Sequence, residues 1–327
     1  MDLRIGYGTY IAAERAAAPQ FRVEISEAEQ AGFDGIYFSE HHGVPGYAAT
    51  PLTLAAMALA QTTVLRAGPM PLLLPLHDPV RIAEESAMID FLSQGRLVLG
   101  LGAGYHPSDY GQAGIPLSER AARMEEGIAL LHNVWSAEPR LHDGPHYRLG
   151  TTNPLNHRPW TQAGPPVWLA TGSRTGTERA ARLGDGLVLG STGSVDRIAD
   201  DARQFRSARE RAGRDPGTLA VIRRAWIGPQ AECDEFITTM QREYSRHSAM
   251  AGVTTGTRAS RELQEQGVTR DAVLARVFVG DVSAVRDQLH QFAELVGADY
   301  LMLKFQWATP DFATVREQLV RARDVLR

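Results

Sequence analysis

An α/β fold closed as a single (β/α)8 TIM barrel is what this sequence predicts, and three observations carry the expectation. Eight short runs rich in leucine, valine and isoleucine recur near 3–7, 35–39, 65–74, 97–101, 167–170, 186–189, 219–227 and 300–305. Most are followed by a longer stretch with helical spacing. The strand runs are apolar throughout rather than alternating, which is the pattern of a parallel sheet covered by helices. At 327 residues the chain has the length of two average domains, but a barrel of about 250 residues or more accommodates it as one. We therefore expect one domain over 1–327.

The helices are signalled in turn. Asp78-Pro79 supplies an N-cap and a first-turn proline before VRIAEESAMIDFL, where Val80, Ala83, Ala87 and Phe91 share a face. The run 118–135 places Ala122, Ile128, Leu131 and Trp135 at helical spacing, and 194–211 and 283–296 behave alike. Two segments break the rhythm: the Pro-, His- and Gly-rich connection before Pro166, and a polar insertion over 230–275, ahead of the last strand. Long irregular connections in a compact domain are commonly lids or binding loops, so 230–275 is expected to be a lid-like insertion.

Composition narrows the function classes. With 43% hydrophobic and 22% charged residues the chain can bury a large core. A net charge of -4, with the 34 Lys and Arg spread along the chain, supplies no field for nucleic acid. The single cysteine, Cys233, excludes an internal disulfide framework and a cysteine-rich zinc site, and nothing near it marks a nucleophile. No apolar run approaches the roughly 18 residues of a membrane span, and MDLRIGYGTY lacks a signal-peptide pattern. The expectation is a cytoplasmic protein acting on a small molecule.

Four stretches carry chemistry. In FSEHHGVPG, Glu40, His41 and His42 follow the second strand. Adjacent strand residues point to opposite faces, so the two histidines do not easily share a metal. One should face the site while the other braces it, the alternative being two structural histidines. In LVLGLGAGYHP, Gly100, Gly102 and Gly104 lack the spacing of a dinucleotide fingerprint; either they let a strand end lie flat beneath a planar ligand or they serve packing. In TGSRTGTERAARLGDG, Gly172, Ser173, Arg174 and Thr175 precede a helix, a setting for holding a phosphate or for simple capping. In AGPMPLLLPLHDPVR, Pro69 and Pro71 remove ladder donors, so the strand should bulge or end there. Asp78 is read as a cap, and His77 remains a lesser catalytic candidate.

Together these stretches, with GFDGIYFSEHH, PPVWLATGS and VFVGDVSAV, resemble the bacterial luciferase-like flavin-dependent monooxygenase superfamily over most of the chain. The resemblance implies a barrel that binds flavin mononucleotide (FMN), or a deazaflavin coenzyme in one branch, at the C-terminal ends of the strands. It casts His41 as the active-site histidine with Glu40 and His42 beside it, and Gly172, Ser173, Arg174 and Thr175 as the phosphate loop. It places Met70 and Pro71 at a cis peptide beneath the flavin ring; an X–Pro bond adopts cis far more cheaply than others, so Met70–Pro71 should be cis. Two departures stand out: Ala103 replaces a phosphate-binding arginine, for which Arg174 is the expected substitute, and Gly102 replaces a reactive cysteine. Tyr105, with Tyr7 and Trp226, is a candidate aromatic wall.

The activity implied is two-component: a separate flavin reductase supplies reduced FMN, which the barrel uses with oxygen to oxygenate a small organic substrate. His41 is the candidate acid/base, and the insertion the candidate lid. The nearest rival is a deazaflavin-dependent dehydrogenase or reductase on the same barrel. A metal-dependent hydrolase using Glu40, His41 and His77, and a non-catalytic flavin-binding protein, are rivals of other classes. Apolar outer helix faces permit a homodimer.

Overall fold

Among the described residues there are eleven strands: β1 (Arg4–Thr9), β2 (Gly35–Phe38), β3 (Arg66–Pro69), β4 (Leu99–Gly102), β5 (His142–Asp143), β6 (Arg148–Leu149), β7 (Val167–Thr171), β8 (Gly186–Leu189), β9 (Thr218–Ile227), β10 (Val277–Gly280) and β11 (Tyr300–Lys304). The computed structural model describes residues 3–10, 17–43, 47–152, 154–251, 258–305 and 311–327. Eight strands pair in the order β3-β2-β1-β11-β9-β8-β7-β4, all parallel. The β3/β4 seam closes through a broken ladder, with Val98 N to Ala67 O at 3.0 Å, Leu72 N to Gly100 O at 2.9 Å and Gly102 N to Leu72 O at 2.8 Å. Pro69 and Pro71 sit in the gap, where neither has an N–H to give. The run expected as a strand over 65–74 therefore stops at Pro69, and the Met70–Pro71 bond is cis.

Alternation within the apolar strands sorts their side chains into two layers. Tyr37, Met70, Val98, Trp168, Val188, Ala220, Tyr300 and Met302 fill the barrel interior, with the Tyr37 and Tyr300 hydroxyls 3.2 Å apart. Tyr7, Ile36, Phe38, Leu99 and Leu101 belong to the larger cluster beneath the helices. Close approach at the seam needs glycine: a Cβ on Gly68 would lie 1.7 Å from the Val98 carbonyl.

The Asp78 cap forms as expected, accepting from Val80 N at 2.8 Å and Arg81 N at 3.2 Å. The face it starts is rotated from the sequence expectation. Ile82, Ala83, Ser86, Ala87 and Asp90 are buried in the helix Pro79–Leu92, while Phe91 is 40% exposed. Asp90 turns inward because it accepts from Thr161 N at 2.9 Å, pinning the long connection before Pro166.

Two features were not foreseen as structure. VFVG forms β10, which pairs with the outer half of β9. The polar segment 230–275 is helical in its described parts, with helices Gln230–Ala251, Arg258–Gln266 and Arg270–Leu274. Phe236, Ile237, Met240, Tyr244, Leu263 and Val273 of this segment form a cluster with Val277 of β10.

Candidate functional site

A cavity of about 380 Å³ opens at the C-terminal ends of the strands, chiefly over β4, β7, β8 and β9. Its walls include Glu40 and His41 after β2, Gly102 to Tyr105 after β4, Thr171 to Ser173 after β7, and Ile222 from inside β9. The loops after parallel strands thus converge on one end, where barrels of this kind carry their sites.

The Glu40-His41-His42 triplet lies beyond the end of β2 at Phe38, so strand alternation does not set its geometry, and its two histidines take different partners. His41 lines the cavity, whereas His42 Nε2 lies 2.8 Å from Glu40 Oε1. His77 Nε2 reaches the same oxygen at 2.8 Å and Leu73 N donates to Oε2 at 2.7 Å. Glu40, 1% exposed, is thereby surrounded by donors that satisfy its charge. Val44 to Gly46, which follow in the sequence, lie outside the described residues.

His41 is oriented by a residue that sequence reasoning missed. Its Nδ1 lies 3.2 Å from Asp109 Oδ2, and the His42 amide donates to Asp109 Oδ1 at 3.3 Å. Burial alone would raise the Asp109 carboxyl, but the bonds and charge of His41, with the His42 amide, hold it below the usual range. An ionised Asp109 only accepts, so Nδ1 carries the proton and Nε2 is the nitrogen left for the cavity. Asp109 lies 68 positions from His41, and nothing in the local sequence ties the two together.

On the opposite wall the helix Arg174–Leu183 starts at the cavity. Ser173 caps it, accepting from Gly176 N at 3.1 Å, and Thr171 Oγ1 accepts from Ser173 N at 3.2 Å. Gly172, Ser173 and Thr175 line the cavity, as do Arg120, Arg179 and Arg197. Hydroxyls, arginines and the free N–H groups of a helix start suit an anionic phosphate group. Arg174 is elsewhere: its side chain is 62% exposed and lies 3.5 Å from Asp200. The insertion reaches this wall, since Arg258 N donates to Gly172 O at 3.3 Å and Ala259 lines the cavity.

The remaining candidates sort by which face of the barrel they occupy. Gly102 and Ala103 line the cavity, and a Cβ on Gly102 would come 2.8 Å from the Pro71 ring, so this glycine also serves packing. Pro71 lines the cavity, but Met70 points into the interior layer below. Tyr105 is a wall, with its ring 6.1 Å from that of His41. Tyr7 instead faces the helix Ala17–Ala31, donating to Glu24 at 2.6 Å. Trp226 stacks on Phe236 of the insertion at 5.4 Å.

A second group lies across His41 at the ends of β1, β9 and β11. The Tyr47 ring meets His41 edge-on at 4.5 Å and Tyr10 at 5.0 Å. Lys304 Nζ sits 4.4 Å from the centre of the Tyr10 ring and donates to Ser39 at 3.1 Å. Arg224 Nη2 donates to the Tyr10 hydroxyl at 3.3 Å. All three of Tyr10, Arg224 and Lys304 are buried.

A (β/α)8 barrel whose strand ends hold a phosphate-suited rim and an oriented histidine defines a class of small-molecule site proteins. More narrowly, the chain belongs to the luciferase-like monooxygenase family, whose model matches residues 8–299. It is 32% identical over 214 residues to the protein y4wF of Sinorhizobium fredii, covering 64% of this chain and 62% of that one. It is 28% identical over 225 residues to the F420-dependent glucose-6-phosphate dehydrogenase of Kineococcus radiotolerans, covering 66% and 65%. The matched stretch thus spans just under two thirds of these relatives. In structure it is similar to the oxygenating constituent of 3,6-diketocamphane monooxygenase from Pseudomonas putida, in complex with FMN, with a TM-score of 0.78, 21% identity and coverage of 97% and 95%. Among the described residues, no helix is long and apolar enough to cross a membrane.

Proposed function

We propose that this protein is an oxidoreductase that takes reduced FMN from a separate flavin reductase and uses oxygen to oxygenate a small organic substrate. The observation that carries the reading is the single cavity joining the Thr171 to Gly176 turn at one end to His41 at the other. The donor set at the first end fits a phosphate, and the cis Met70–Pro71 bulge with Gly102 makes a floor between the ends. Likeness to an FMN-bound monooxygenase supports FMN.

Reduced FMN, when bound, would supply the electrons that activate oxygen. The chain's own residues do the rest. Ser173, Thr175 and the amides of the helix start hold the phosphate, with Arg179 and Arg197 adding positive charge at the rim. Asp109 fixes the His41 ring so that Nε2 gives or takes a proton at the far end. Glu40, clamped by His42 and His77, holds the strand end that carries His41. The helix Arg258–Gln266, docked on Gly172, acts as the lid that keeps water from the cavity.

A second reading, a deazaflavin-dependent dehydrogenase, has a specific observation in its favour. Arg120 and Arg261 also border the cavity, more positive charge than one phosphate calls for, and the Kineococcus relative is named as F420-dependent. Oxygen uptake and product mass with supplied reduced FMN and a panel of aromatic and aliphatic substrates tests the proposal. Oxygen consumed in step with oxygenated product is the expected result; turnover with a deazaflavin and no oxygen transfers the site to the second reading.

A further inference from the structure

The helix Arg258–Gln266 is fastened to the barrel by Arg258 and Glu262, which lie one helical turn apart on the same face. At the first, the Arg258 amide donates to Gly172 O at 3.3 Å and its Nη1 donates to Asp201 Oδ1 at 2.9 Å. Asp201 stands on the helix Val195–Arg211, lines the cavity and is only 5% exposed. Its other oxygen lies 3.3 Å from Arg197 Nε, so one carboxylate serves a guanidinium of the phosphate rim and a guanidinium of the lid. At the second, Glu262 Oε1 accepts from Arg276 Nη2 at 3.1 Å, and Arg276 Nε donates at 2.8 Å to the carbonyl of Thr192, a cavity-lining residue after β8.

The two fastenings differ in depth. Arg276 is 1% exposed and also donates to Ala272 O at 2.6 Å, whereas the Arg258 side chain is 24% exposed. Water competes more readily for the Arg258 pair, so this end of the helix lets go first. Asp200, at 4.0 Å from Arg258, is too exposed to hold it in place of Asp201. Asp201 has no such freedom. A carboxylate this buried needs its guanidiniums, because removing one leaves charge uncompensated.

We propose that Asp201 is a positioning residue that couples the lid to the phosphate end of the cavity, so that an anion bound at the Thr171 to Gly176 turn and a docked Arg258 stabilise one another. Two contacts carry the coupling. Gly172, whose carbonyl receives the Arg258 amide, belongs to the turn that would hold the phosphate, so an anion that fixes this turn also fixes the acceptor. Arg197, drawn to the anion, leaves Asp201 more fully to Arg258. By linkage, docking of Arg258 raises the affinity for the anion by the same factor as the anion favours docking. Asp201, itself an anion, does not bind the phosphate and acts through Arg197 and Arg258.

The coupling rests on the phosphate reading above, whereas the latch does not, and hydrogen–deuterium exchange of the full chain separates them. Without ligand, peptides covering 258–266 should exchange about ten- to a hundredfold faster in Arg258→Gln than in wild type, the effect of one charged hydrogen bond on local opening. Asp201→Asn should do the same. Arg258→Gln leaves Asp201 paired with Arg197, and so reads the latch even if Asp201→Asn fails to fold. Arg203→Gln, which removes an exposed charge from the same helix as Asp201, should exchange as wild type does. Wild-type exchange in Arg258→Gln overturns the latch. With ligand, inorganic phosphate or FMN should slow exchange at 258–266 in wild type, riboflavin should slow it less, and the difference should vanish in Arg258→Gln. FMN that binds more tightly than riboflavin but protects 258–266 no better overturns the coupling and leaves the phosphate site standing. FMN that binds no more tightly than riboflavin sinks the phosphate reading and the coupling with it, and the ligand-free exchange alone then decides the latch.

Discussion

The two halves of the barrel mouth are built from opposite materials. Over β4, β7 and β8 the surface is made of glycines, hydroxyls and helix-start amides, and its arginines are tied at the rim, Arg179 to Glu125 at 2.9 Å and Arg197 to Asp201 at 3.3 Å. Over β1, β9 and β11 phenols and cations are packed away from water. The first half is suited to taking up and releasing an anion, since its donors stay accessible and lose little on release. Fixed charges in a dry setting suit the second half to shifting proton equilibria. His41, held by Asp109, stands on the boundary.

Removing the boundary residue should have the largest effect. His41→Ala should slow turnover by about 10²–10⁴-fold while FMN affinity changes little, measured as kcat beside a binding titration; an equal loss in both would merge the two halves.

Behind β1, Glu24 accepts from Tyr7 and Thr9. Burial, opposed by those bonds, raises its carboxyl to about 7. A raised carboxyl favours the protonated folded state, so its stabilising contribution is complete below about pH 4.5 and is lost as pH rises through 7. A shift of that size corresponds to at most about 3 kcal/mol. Denaturant melts at pH 5 and pH 8 should show the loss, and Glu24→Gln should remove it; a pH-independent wild type would contradict the burial argument.

Glu40→Ala leaves His42, His77 and the Leu73 amide without their acceptor, and should destabilise the fold by about 1–3 kcal/mol. Urea midpoints read this directly. Ser173→Ala removes a helix cap, at about 1 kcal/mol, and one phosphate donor. It should weaken FMN binding and leave riboflavin binding unchanged. Smallest of all, Arg174→Ala should leave FMN affinity within about twofold, because its guanidinium faces Asp200 and solvent.

The same contrast explains what could be read from sequence. The accessible half announces itself in contiguous text: TGSRTGT follows an apolar strand and opens a helix, and EHH follows another. The eight barrel strands were legible because both of their faces are apolar. The buried half was not. Arg224 in VIRRAWI and Lys304 in LMLKF read as charges interrupting a strand, and only the closed barrel brings them to Tyr10. Asp109 reaches His41 from the short helix Pro107–Ala113, 68 positions away. Arg174 failed for a different reason: it is the first residue after the Ser173 cap, and the rotation of that turn, invisible in the sequence, aims it outward. The Phe91 face was misjudged because an inward Asp90 looks polar until the Thr161 amide is seen to donate to one of its oxygens.

The central claim is that the accessible half holds a phosphate in the cavity that His41 also lines. It is tested most directly by the ratio of FMN to riboflavin affinity, measured by fluorescence quenching on wild type and Ser173→Ala. One charge-assisted bond contributes about 1.5–3 kcal/mol, or about ten- to a hundredfold in affinity. A preference for FMN of that order in wild type, reduced in Ser173→Ala, is the predicted result; equal affinity of wild type for the two flavins would contradict it.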